Sequence, residues 1–276
     1  MNYHSDNWIN EKVHDHYMEA REYFPDDSIV GIFLQGSQNY GLDYEGSDVD
    51  TKLIVVPTFK DIAMNKKPVS TTHVRSNNEH IDWKDVRLYI QTFRKQNLKF
   101  VEILFTPYKI INPKYSYQWN RLINAREEIA RYAPNQAIKV MEGVSRERYH
   151  AMEHRYPSRI EWIDRFGYDP KQLHHLIRME QFIERYIQGQ PYEHCLKDYD
   201  SEYLVKVKQG YYSLQEARKV ADDAIKNIDA MCDKFLSVEH PVNEKIDDLF
   251  NDVQYEIMKL SVIDELSGSG VSCSTL

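Results

Sequence analysis

The stretch "FLQGSQNYGLDYEGSDVDTKLIVV", residues 33–56, decides how this chain is read. An apolar run ends at Gly36-Ser37. Eleven residues beyond that serine, Asp48 and Asp50 flank a single valine, and a second apolar run follows. Apolar runs of this length separated by turn residues predict two buried strands, one over 29–34 and one over 49–56 that Pro57 stops. On a strand, residues i and i+2 point the same way, so Asp48 and Asp50 project together while Val49 enters the opposite layer.

Two carboxylates on one face repel each other strongly wherever the dielectric is low. The pair is stable mainly with a cation between its members, and hard oxygen ligands suit Mg²⁺ or Mn²⁺. Gly36 allows close backbone approach, and Ser37 offers a hydroxyl and an N–H in a turn of the kind that cradles phosphate oxygens. A phosphate-binding turn beside a carboxylate pair points to phosphoryl or nucleotidyl transfer. It is not a Walker A loop, because no Lys-Ser/Thr follows "GSQNYG". Gly-Ser alone is a common turn, and Asp-x-Asp at a strand edge can simply be solvated. Their combination at this spacing, between two strand signals, carries the functional reading.

The 276 residues are enough for one or two domains with a sizeable core. A formal charge of −8 argues against a generic nucleic-acid coat but leaves a local basic groove open. Cys195, Cys232 and Cys273 lie far apart without a C-x-x-C, which favours a reducing compartment and excludes a zinc knuckle. The first residues have no apolar signal-peptide core, and no apolar run approaches the ~20 residues that cross a bilayer. The expectation is a soluble cytoplasmic protein with no membrane partner.

Outward from the opening stretch, residues 8–23 predict an amphipathic first helix. Residues 58–78 are polar and predict an irregular surface excursion. "HIDWKD" begins strand-like at Ile81 and turns helical with Val86, Ile90 and Phe93 on one face, and "FVEILF" (100–105) is a further apolar element. Beyond Pro113 the periodicity is helical, with helices predicted over 116–132, 134–154, 170–188, 213–236 and 241–266. The expected fold is α/β (α+β): a small mixed sheet with flanking helices over 1–112, a helical domain over 113–266, and a flexible tail over 267–276.

The pattern apolar strand, Gly-Ser, about ten residues, then Asp-x-Asp on a second strand resembles the nucleotidyltransferase signature of the DNA polymerase β superfamily. The fuller string "GSQNYGLDYEGSDVD" is similar to a narrower group within it, the RlaP-type predicted nucleotidyltransferases associated with RNA repair. "RKQNLKFVEILF" (94–105) and "GYDPKQLHHLIRM" (167–179) fit that group too, so the resemblance spans residues 29 to about 188. It implies a polymerase-β-like sheet, an NTP substrate, and a site of three carboxylates holding two Mg²⁺ (or Mn²⁺) ions. Asp48 and Asp50 would hold both ions. Asp82 in "HIDW" is the choice for the third acid, with Asp85 next and Glu102 after it.

Three weaker constellations follow. Asp169 can cap a helix whose first residue is Pro170; Lys171, His175 and Arg178 then form one basic stripe, either a nucleotide contact or a solvated face. In "SRERYHAMEHRYPSR", Arg146, Arg148, Arg155 and Arg159 interleave with Tyr149 and Tyr156, as a groove for single-stranded nucleic acid would require, though Glu147 and Glu153 also permit a self-paired helix. His14 and His16 in "HDHY" point apart on a helix and are read as structural.

The leading expectation is an Mg²⁺-dependent transfer of NMP from NTP to a hydroxyl, with RNA as the acceptor. A transferase acting on a protein or small molecule is the enzymatic rival, and a non-catalytic nucleotide-binding regulator the third.

Overall fold

A computed structural model describes residues 3–197 and 200–268 of the chain. Cys273 and all but the first two positions of the expected tail lie outside those residues; positions 267 and 268 continue the last helix.

Five strands form one mixed sheet: β1 (Ile29–Gln35), β2 (Asp50–Val55), β3 (Ser70–Val74), β4 (His80–Asp85) and β5 (Lys109–Ile111), in the order β3-β4-β2-β1-β5. The β2–β4 pair is parallel and the other pairs are antiparallel. Alternation along the strands sorts the layers, as the predicted strands required. Val49, Leu53 and Val55 join Ile32, Leu34 and Ile81 on one face, under Ile9, Val13 and Ala20 of the helix Asp6–Ala20. That helix begins where the Ser5 side chain accepts from the Trp8 N–H at 3.3 Å. Gly31 on β1 lets β5 approach: a Cβ there would stand 2.8 Å from the Ile110 carbonyl oxygen.

The other face carries an aromatic layer. Phe33 meets Trp119 at 5.3 Å between ring centroids, and Phe93 stacks on Phe250 at 5.9 Å. All four rings are fully buried, each worth about 2–3 kcal/mol relative to exposure.

The described residues divide into two compact units: His4–Asn39, Ser47–Tyr132 and residues 243–268 hold the sheet, and Tyr40–Gly46 with residues 133–197 and 200–242 form the helical unit. The division therefore runs elsewhere than the expected cut at 112. Residues 113–132 and the helix Glu244–Gly268 complete the sheet unit because Trp119 and Phe250 fill its aromatic layer. Arg94–Asp247 and Arg121–Glu256 pairs, both at 2.7 Å, fasten the last helix there.

Local differences from expectation have local causes. The polar excursion 58–78 contains the helix Phe59–Ala63 and the edge strand β3, whose residues are mostly exposed and so show no apolar alternation. "FVEILF" runs through the helix Leu98–Val101 and a 3₁₀ turn, Glu102–Leu104. The predicted helix 116–132 is broken at Ala125 into Ser116–Asn124 and Arg126–Ala130.

In the helical unit, Pro134–Ala151, Pro170–Ile187 and Leu214–Leu236 are the long helices. Asp169 caps the second as expected, accepting from the Lys171 N–H at 3.0 Å, with Pro170 in its first turn. Among the described residues no helix is long and apolar enough to cross a membrane.

Candidate active site

The antiparallel register sets Gln35 opposite Asp50, so β1 ends where β2 begins. Gly36 follows with φ +111°, a conformation that L side chains rarely adopt. Ser37–Asn39 then form a 3₁₀ turn held from several sides. Asn39 Nδ2 donates to the Leu34 carbonyl at 3.0 Å, and the Thr106 hydroxyl donates to Asn39 Oδ1 at 2.6 Å. The buried Gln38 donates from Nε2 to the Asp48 carbonyl at 2.8 Å. That bond joins the Gly36-Ser37 turn directly to the carboxylate pair.

Asp48 is exposed, Asp50 partly buried and Val49 fully buried, as the strand alternation requires. Asp50 Oδ1 lies 3.0 Å from both the backbone N–H and Nδ1 of His80, which sits level with it on β4. Burial, and then the Asp48 carboxylate, push the Asp50 pKa above its ordinary value, against the pull of His80. Two hard-oxygen donors on one strand face, Asp50 with its charge disfavoured in this way, fit a divalent cation. Asp48 and Asp50 are the residues that would hold it.

Asp82 stands on the same sheet face but one pleat further along, opposite Lys52 in the parallel register. Its Oδ2 is 3.0 Å from Lys52 Nζ, and its Oδ1 accepts from the Thr72 hydroxyl at 2.6 Å. The Lys52 side chain is only 2% exposed, and its ammonium also lies 4.1 Å from the centre of the Phe100 ring. Burial works against the Asp82 charge, yet Lys52 and Thr72 outweigh it and hold the carboxyl below its usual range. Desolvation lowers the Lys52 pKa, with Asp82 opposing.

Asp85 serves another purpose: it caps the helix Val86–Arg94 and accepts a bidentate pair from Arg87 at 2.9 and 2.7 Å. Glu102 is buried in its 3₁₀ turn. Among the described residues, no group of three or more His, Cys, Asp or Glu side chains is gathered to hold a metal ion. The three carboxylates implied by the family resemblance share a face without forming such a cluster.

Gln38, Lys52 and His80 were not singled out from sequence. Lys52 had a signal, a cation inside the apolar run "TKLIVV" and in phase with Asp50. Behind the sheet, buried His16 contacts Thr51 Oγ1 at 2.9 Å and Glu79 Oε2 at 3.0 Å, while His14 is exposed; the two histidines do point apart.

Lys171, His175 and Arg178 lie on the helix Pro170–Ile187, in the helical unit. Burial, and secondarily His174, Arg148 and its cationic neighbours, push His175 well below the ordinary histidine range, so it adds no charge to the stripe at neutral pH. Arg178 stacks on Tyr40, 3.6 Å from the ring centre. The proposed nucleic-acid residues engage their own chain: Arg146 bonds Glu142 at 2.9 Å, Arg148 bonds Gln172 at 3.1 Å, Tyr149 bonds Asp222 at 2.6 Å and Arg155 bonds Asp164 at 2.6 Å. Cys195 and Cys232 are buried, and the Cys195 thiol donates to the Gln190 carbonyl at 3.7 Å.

No family model matches the chain. No curated protein matches it. Among solved structures, it is similar to the crystal structure of a nucleotidyltransferase-like protein from Exiguobacterium sibiricum 255-15, at 12% identity over 91% of this chain and 80% of that one, with a TM-score of 0.29. The fold and the site rest on the chain's own geometry: a mixed α/β sheet with flanking helices, bearing a glycine turn tied to an aspartate pair.

Proposed function

We propose that this chain is a divalent-metal-dependent nucleotidyltransferase that moves NMP from an NTP to a hydroxyl group, with RNA as the acceptor. The observation that carries the proposal is the 2.8 Å bond from Gln38 to the Asp48 carbonyl, which fixes a phosphate-type turn against two like-charged carboxylates. Backbone N–H groups and the Ser37 hydroxyl orient the triphosphate. Asp48 and Asp50 hold the cation, and Mg²⁺ or Mn²⁺ supplies neutralisation of the phosphate charge. The acceptor hydroxyl gives up its proton to solvent as its oxygen bonds to the α-phosphorus, the bond from that phosphorus to the bridging oxygen breaks, and pyrophosphate leaves with the bond's electron pair. Positioning and charge neutralisation dominate such a reaction.

RNA is favoured as the acceptor by the resemblance of "GSQNYGLDYEGSDVD" to the RNA-repair-associated group. The test is incubation with α-³²P-labelled NTPs, Mg²⁺ and total tRNA, nicked RNA or cell lysate. Label is expected in RNA. Label in protein would move the acceptor to a protein hydroxyl, and NTP binding without transfer would make the chain a regulator.

A further inference from the structure

We propose that Lys52 is a fixed cation that keeps Asp82 out of metal coordination, so that the site works with one divalent ion, held by Asp48 and Asp50, rather than two. The inference rests on the nucleotidyltransferase reading and deepens it.

Register supplies the first argument. Thr51 pairs with Ile81 and Lys52 with Asp82, so the β4 residue level with Asp50 is His80, not an acid. Asp82 is displaced by one pleat, about 6.6 Å along the strand. Ions of a two-metal site stand only about 3.5–4 Å apart and share a carboxylate between them.

The second argument is occupancy. Both Asp82 oxygens are engaged, Oδ2 by Lys52 Nζ at 3.0 Å and Oδ1 by the Thr72 hydroxyl at 2.6 Å. The ammonium is held from two sides, by that carboxylate and by the Phe100 ring at 4.1 Å. A second ammonium, on Lys84, lies 4.9 Å from the same ring. A divalent ion binding to Asp82 would face this positive charge and would strand a buried ammonium without its partner, which is costly. Lys52 is thus a positioning residue: it supplies to Asp82 the positive charge that a second ion would bring elsewhere.

The test counts Mn²⁺ bound per full-length chain by electron paramagnetic resonance, with Mn²⁺ alone and with saturating α,β-methylene-ATP. One ion is expected in the wild type under both conditions. The count should be unchanged in Asp82→Asn and lost in Asp48→Asn. Lys52→Met, which leaves Asp82 uncompensated, should raise it from one to two. Two ions in the wild type, falling to one in Asp82→Asn, would overturn the proposal without need of the lysine variant. A count that stays at one in a folded Lys52→Met chain would overturn it as well. Absence of any Asp48-dependent Mn²⁺ would instead remove metal dependence itself, and with it the reading on which the inference rests.

Discussion

Gln38 Nε2 and the carbonyl oxygen of Asp48 meet at 2.8 Å across the mouth of the β1–β2 pair. This bond ties the turn after β1 to the acid pair at the start of β2. Gln38→Ala should cost only about 0.5–1.5 kcal/mol of stability, the worth of one hydrogen bond. Transfer should suffer more, by about tenfold to a hundredfold in kcat/KM, because small misplacements of reacting groups are expensive. Steady-state kinetics beside thermal melts separate the two effects.

Asp48→Asn and Asp50→Asn should each lower transfer by about 10³-fold or more. Their stabilities should differ in a pH-dependent way. Burial and Asp48 raise the pKa of Asp50, so the folded chain holds that proton more readily than the unfolded one. Stability of the metal-free wild type should therefore fall as pH rises through the Asp50 titration. Asp50→Asn should lack this fall, and saturating Mg²⁺ should suppress it in the wild type. Tm against pH, with and without Mg²⁺, checks the sign.

Asp85→Ala should act on the fold and not on the reaction. It removes the cap of the helix Val86–Arg94 and the bidentate partner of Arg87, a loss of about 1–2 kcal/mol. The folded variant should transfer nucleotide at close to the wild-type rate. An inactive but fully folded Asp85→Ala chain would assign Asp85 to the chemistry.

Glu79 predicts the acid limb. Burial opposes its charge, yet the bonds from His16 and Asn77 and the charge of Lys12 bring its pKa from the ordinary 4.5 down to about 2. A depressed folded pKa contributes stability above the unfolded value and loses it as pH falls towards the folded one. The wild type should lose stability between 4.5 and about 2, and Glu79→Gln should lose less across that window. Urea titrations at pH 5 and pH 3 measure the difference.

Much of the candidate site's local geometry was legible because its signals are local. The run over 29–34, the Gly36 turn and the Asp-Val-Asp alternation need only nearest neighbours along a strand. The Asp169-Pro170 helix start is local in the same way. Long-range partners were illegible: Lys52 meets Asp82 across 30 positions, and His16 meets Glu79 across 63. The edge strand β3 was hidden because a strand with little core to face has no apolar pattern. β5 was hidden because Lys109–Ile111 is only three residues long.

Phe250 and Asp247, which close the aromatic layer and grip Arg94, stand on the last helix, Glu244–Gly268, although the strands they cover are all complete by Ile111. Synthesis proceeds from the N-terminus, so the sheet leaves the ribosome well before its final cover exists. Most of the helical unit, the continuous span Ala133–Val242, is made in that interval. Birth order and spatial order thus run against each other in this molecule, and its first-made layer is the last to be sealed.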